Sequence, residues 1–156
     1  MQSVSRFRDI TKLGFSEHCY HVLMIEWKIS EYEEDGRGVV SRWFDLKCKK
    51  NKAFRKLQYR LQTKFDMIRA AGPDLLGAVT GSDISKHIDK IHVSGRVTIR
   101  VLFMRGPGAK EITLVGVSVE KDKVLIEPGV EKHSQERQEA LANGNGRRKE
   151  YVYYSP

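Results

Sequence analysis

From Tyr20 to Tyr32 the chain reads YHVLMIEWKISEY, rich in β-branched and aromatic residues. Ile25, Trp27 and Ile29 alternate with Glu26, Lys28 and Ser30. Successive strand side chains point to opposite faces, so this period of two predicts a strand with one face on a core. Glu33 to Gly38 is a charged, glycine-bearing loop, and Val39 to Leu46 opens a short helix with Ser41 or Asp45 as a candidate cap. From Asn51 to Ala71 the period changes: Phe54, Leu57, Leu61, Phe65 and Ile68 recur at spacings of three and four. That single apolar stripe predicts an amphipathic helix, capped by Asn51 and stopped by Gly72-Pro73. Trp43 and Phe44 are assigned to the core, because large aromatics dominate buried area.

A turn-rich connector follows to Gly81, and then a stretch to Ile91 that is irregular or a short strand. Period two returns where Val97, Ile99, Val101 and Phe103 alternate with Arg96, Thr98, Arg100 and Leu102. Arg105-Gly-Pro-Gly-Ala-Lys110 is a turn, and Ile112 to Val119 is a second β-rich run, so the unit is an antiparallel hairpin. Glu120 to Lys123 forms a charged turn before one more short strand at Val124 to Ile126. His133 to Asn143 is a polar helix. Tyr151 to Tyr154 is expected to dock, as a tail, a handle or a last edge strand, since exposed aromatics are sticky. These elements predict an α+β fold, a small antiparallel sheet with helices packed on one face. A single domain is expected over residues 1–125, with a C-terminal helix and tail over 126–156.

Charge adds a partner class. The 156 residues hold 28 Lys and Arg against 20 Asp and Glu, a net charge of +8. Such a surplus favours nucleic acid, an acidic protein or a membrane surface. No apolar run approaches the ~18 residues that span a bilayer, and no secretory leader is read, so a cytoplasmic protein without a membrane partner is expected. Cys19 and Cys48 make no disulfide framework. His18-Cys19-x-His21 gathers ligand-type residues without a zinc spacing, so no metal and no cofactor is expected.

The positive charge is concentrated on the long helix and its approach: Lys47, Lys49, Lys50, Lys52, Arg55, Lys56, Arg60, Lys64 and Arg69, answered in this span only by Asp66. This reads as a phosphate-backbone footprint. Cations near a helix N-terminus also oppose its dipole, at about 0.3–1 kcal/mol each when exposed. Lys86, His87, Lys90 and His92 bring further charge beside the arginine strand. On that strand Arg96 and Arg100 share one face, roughly 13 Å apart at ~3.3 Å per residue. Two guanidiniums so spaced suit two phosphates of one strand, but spacing alone fits an ordinary solvated face better.

Several short motifs carry a resemblance: Trp27-Lys-Ile29, Trp43-Phe-Asp45, Ala70-Ala-Gly-Pro-Asp-Leu75, Gly81-Ser82, Gly95-Arg96-x-x-Ile99-Arg100-Val-Leu-Phe103, and Ile112 to Val117. Over residues 20–121 the chain resembles the RelE/ParE superfamily of toxins from bacterial toxin–antitoxin systems, closest to its HigB-like phage-associated branch. His87-Ile-Asp-Lys-Ile91 stands where that branch carries Leu-Lys-Glu-Leu-Arg, and Glu120-Lys-Asp-Lys123 stands where it carries Gly-Asp-Lys.

The resemblance implies a RelE-like fold and a toxin that cuts mRNA as an endoribonuclease, often on the ribosome, and is neutralised by a cognate acidic antitoxin. The chemistry needs no metal. RNA supplies its own nucleophile, the 2′-OH, and the protein supplies a base, cations for the phosphate and an acid for the leaving oxygen. Arg100 with Arg96 would hold the scissile phosphate, and Lys121 or Lys123 would add charge or move a proton. His92 or His87 would act as proton carrier. Lys49, Lys50, Lys52, Arg55, Lys56, Arg60 and Lys64, with Lys86 and Lys90, would hold the RNA backbone. The loss of the branch's Glu and Arg keeps two alternatives open. One is a non-catalytic toxin of the same fold that inhibits gyrase or a replication factor. The other is a plain nucleic-acid-binding domain.

Overall fold

A computed structural model describes residues 26–76, 79–80 and 87–153. The first part of the expected Tyr20–Tyr32 strand (residues 20–25), the His18-Cys19-x-His21 cluster, Lys86 and Tyr154 lie outside these residues. The described chain has mixed α and β content: eight strands in one sheet and three α-helices. The strands are β1 (Lys28–Glu34), β2 (Arg37–Gly38), β3 (Val79–Thr80), β4 (Asp89–Val93), β5 (Thr98–Arg105), β6 (Glu111–Lys121), β7 (Val124–Leu125) and β8 (Arg148–Glu150). The helices are α1 (Val39–Lys50), α2 (Ala53–Ala71) and α3 (Val130–Ala142), with a 3-10 turn at Pro73–Leu76.

The sheet runs β2-β1-β6-β5-β4-β3, with β7 on β6 and β8 on β1. Most pairs are antiparallel, including the expected hairpin of β5 and β6, but β1 and β6 are parallel. The sheet is therefore mixed, and larger than the small antiparallel one expected. Parallel neighbours need a long crossover, and here α1, α2 and four strands separate β1 from β6 in the chain.

The two faces are both covered in part. On one, the stripe Phe54, Leu57, Leu61, Phe65 and Ile68 of α2 is buried with Phe44 of α1 against Ile91, Ile99, Val101, Phe103, Ile112 and Leu114. On the other, Val130 and Leu141 of α3 pack on Ile88, Leu102, Met104 and Val115. Helices on one face only, as expected from the pattern, is thus corrected. The reason lies in Gly116: it is opposite Leu102 in the sheet, and a Cβ built there would lie 2.1 Å from Ser134 Oγ, so glycine lets α3 approach the strand. Arg137 fixes the helix further, donating to the Val115 carbonyl at 2.8 Å and to Glu34 at 2.9 Å.

The N-terminus of α1 is held by a residue that sequence reading missed. Neither Ser41 nor Asp45 is its N-cap. Instead the buried Glu31 of β1 accepts from the Val40 and Ser41 N–H groups and from the Ser41 hydroxyl. Asn51 does accept from the Ala53 N–H at 2.9 Å, at the junction that separates α1 from α2. The edge strand falls earlier than expected: Arg148–Glu150, not Tyr151 onwards, forms β8 on β1, and Tyr151 after it is buried edge-on against Phe65.

Candidate nucleic-acid interface

The face of the sheet that carries α3 also carries, at its other end, a polar cluster. Strand alternation puts Lys90 and His92 of β4, Arg100 of β5 and Ser118 and Glu120 of β6 on this face. His92 and Arg100 are direct register partners, and Arg100 in turn is opposite Ser118. Arg100 donates from Nε to Glu120 Oε2 at 2.7 Å and from Nη2 to Oε1 at 3.3 Å. This fork is largely shielded, with side-chain exposures of 22% and 15%.

Hydrogen bonding, burial and neighbouring charge set the protonation states in this cluster. The hydrogen bond from Arg100, followed by its charge and those of His92 and Lys90, outweighs burial and holds the Glu120 carboxyl below its ordinary range. Partial burial, then the Arg100 charge, lowers the pKa of His92 against a smaller opposing pull from Glu120. Lys64 on α2 adds to the lowering. An imidazole shifted down from its usual value near 6.5 is neutral at pH 7, the state in which it accepts a proton.

Ser94 links this cluster to a second cationic region. Its hydroxyl shares a hydrogen bond with His92 Nε2, and its carbonyl accepts from Arg60 of α2. Beside that contact lies a groove of about 390 Å³ lined by Asn51, Lys52, Ala53, Lys56, Leu57, Arg60, Gly95 and Arg96. Four of these residues are cations and none is a carboxylate. Lys52, Lys56, Arg60 and Lys64 recur every fourth residue and so form one ridge along α2. The ridge runs from the groove towards His92 at the edge of the sheet.

This geometry regroups the residues picked from sequence. Arg96 and Arg100 do not share a face. Arg96 precedes β5, in the turn after β4, and lines the groove beside α2, whereas Arg100 lies on the face away from α1 and α2. The expected 13 Å pair of one strand is therefore replaced by two separate cations. Lys121 ends β6 and Lys123 lies in the turn to β7, where Asp122 and Lys123 adopt positive φ; both lysines are exposed. His87 precedes β4.

The basic helix also divides. Lys47, Lys49 and Lys50 fall in the last turn of α1, where positive charge suits the helix dipole, so the expected dipole cost applies only to the start of α2. Lys47 is paired with Glu127 at 2.9 Å. Lys49 and Arg55 do not join the groove but line a separate cleft of about 840 Å³ with Glu31, Arg37, Tyr59, Lys149 and others. Lys50 is exposed and lines neither. Glu120 was missed as a site residue, because a carboxylate in a charged turn motif carries no sequence signal of its cross-strand partner.

Among the described residues no group of three or more His, Cys, Asp and Glu is placed to hold a metal ion, and no helix is long and apolar enough to cross a membrane. Comparison of the chain with known protein families, with curated proteins and with solved structures gives no match.

Proposed function

We propose that this protein is a toxin of the RelE/ParE kind that acts as a metal-independent endoribonuclease on mRNA, with the cluster of His92 and Arg100 as its site. The observation that carries the reading is the direct pairing of a neutral imidazole with an arginine, next to a carboxylate-free cationic groove. Lys52, Lys56, Arg60 and Arg96 would hold the backbone of the RNA without reading its bases. Arg100 would grip the scissile phosphate in place of Glu120, and its charge would stabilise the negative charge that builds there. His92 would take the proton from the 2′-OH as that oxygen attacks phosphorus. The bond to the 5′-oxygen then breaks, leaving a 2′,3′-cyclic phosphate and a 5′-hydroxyl once the leaving oxygen is protonated. Lys90, which shares the site's face and whose charge reaches Glu120, is the candidate for that acid.

A neutralising antitoxin would be an acidic chain, and the larger cleft suits it. Three of the six most exposed large apolar residues among those described line this one cleft: Leu46 at 55%, Tyr59 at 65% and Val152 at 46%. They sit with Lys49, Arg55 and Lys149 beside β8, a strand exposed along its length. An extended acidic and apolar segment could add to such an edge.

A second reading has its own support. The Arg100 fork is already filled by Glu120, which favours a protein that binds nucleic acid, or a protein target, without cutting. Induced expression in a bacterium separates the two. Wild type is compared with Arg100→Lys, which keeps the charge but loses the planar fork. Growth arrest with new mRNA 5′ ends, both lost in the variant, is expected. Arrest with intact mRNA would reject the ribonuclease.

A further inference from the structure

Glu120 stands where the substrate's phosphate has to go. Its two oxygens occupy the two donors of Arg100 that match a phosphate fork, at 2.7 Å and 3.3 Å. Lys90 lies near enough for its charge to act on Glu120, and His92 adds to this when protonated. The pair lies at the end of the β6 strand, at the junction with an exposed turn. Thr98 is its register partner and Leu125 of β7 its partner on the other side, so the backbone of Glu120 is fixed by the sheet. Only the side chain has to rotate to open the Arg100 fork.

We propose that Glu120 is an internal counter-anion that occupies the phosphate seat on Arg100 and must be displaced by an RNA phosphate. This rests on the reading of Arg100 as the phosphate-holding residue and adds a gate to it. The carboxylate keeps Arg100 extended and oriented in the free protein, because a charged fork held at both ends has few alternative rotamers. It also competes with every anion that approaches. Weak or isolated anions would not displace it, whereas a strand held at several points by Lys52, Lys56, Arg60 and Arg96 presents its next phosphate at high local concentration. The gate thus favours a polymer over a free phosphate.

Glu120→Gln tests this, since it keeps the shape and one hydrogen-bond acceptor while removing the competing charge. The probe is an all-deoxy oligonucleotide, which lacks the 2′-OH and is not cut by the proposed chemistry. Glu120→Gln should bind it about tenfold tighter than wild type at low salt, with inorganic phosphate as a competitor that becomes effective only in the variant. Adding Arg100→Gln in the same chain should abolish the gain. Circular dichroism and a thermal melt establish that each variant is folded. Unchanged or weaker binding by a folded Glu120→Gln protein would overturn the gate, as would a gain that survives Arg100→Gln, because the carboxylate would then act only through overall charge. The outcome is independent of cleavage. If wild type never cuts RNA while Glu120→Gln still gains affinity through Arg100, the ribonuclease reading fails and the gate stands.

Discussion

Glu31 shows how one side chain can carry an element. It is buried, yet it accepts three hydrogen bonds from the first turn of α1. Burial outweighs these bonds and raises its pKa above the ordinary value of 4.5. A raised acid pKa means that the folded state binds the proton more tightly than the unfolded state. Stability from this group is therefore present below about pH 4.5 and is lost as pH rises through the folded pKa. Urea denaturation across this range should show wild type losing stability with rising pH relative to Glu31→Gln. A parallel pH dependence in the two proteins would reject the assignment. Glu31→Ala, which removes the acceptors outright, should cost about 1–3 kcal/mol through unsatisfied N–H groups. No local pattern points to this cap, because the acceptor lies on a strand nine residues before the Val40 N–H that it caps. Glu120 was hidden in the same way, being a partner of Arg100 across twenty residues.

At the scale of elements, periodicity made most of the architecture legible. The α2 stripe and the β5–β6 hairpin were readable, because each depends on the spacing of nearby residues; the docking of Tyr151 was read from its apolar ring, while the edge strand before it, β8, was not read. The start of α2 was placed close to its observed position, but α1 was read as shorter than it is, since its polar last turn carries no apolar period. What remained hidden depends on contacts between distant parts: the parallel pairing of β1 with β6, and the seat of α3 on the second face. The polar sequence of α3 has a narrow apolar face, and its buried residues include Ser134 and Gln138. Its position is set by the glycine beneath it. Gly116→Val would place branched carbons against Ser134 and Val130, where a Cβ already lies 2.1 Å and 3.4 Å from their atoms. The variant should lose about 1–3 kcal/mol by overpacking. Hydrogen exchange should report it as lost protection in α3 with α2 unchanged. Equal loss in both helices would mean that α3 is not an independently seated element.

For the whole molecule, the candidate site is a relation between surfaces. The sequence showed a run of cations but could not divide it, because residues adjacent in the chain diverge around a helix. Lys52, Lys56 and Arg60 turn towards Arg96, while Lys49 and Arg55 turn towards the cleft beside β8. His92 and Arg100 were both picked, and the fold makes them neighbours on one face, whereas it separates Arg96 from Arg100. The account's central claim is that His92 and Arg100 together cleave RNA through its 2′-OH. The most direct measurement is the cleavage rate of a purified oligoribonucleotide, with its all-deoxy counterpart, in chelator between about pH 5 and pH 8, using wild type and His92→Gln. Because the His92 pKa is lowered, its neutral form persists into mildly acid solution, so the wild-type rate should hold through pH 7 and fall only below the ordinary imidazole value near 6.5. The RNA alone should be cut, with cyclic-phosphate ends, and His92→Gln should slow it by about 10²-fold or more. Cleavage of the deoxy strand, or an unchanged rate and pH profile in His92→Gln, would contradict the account.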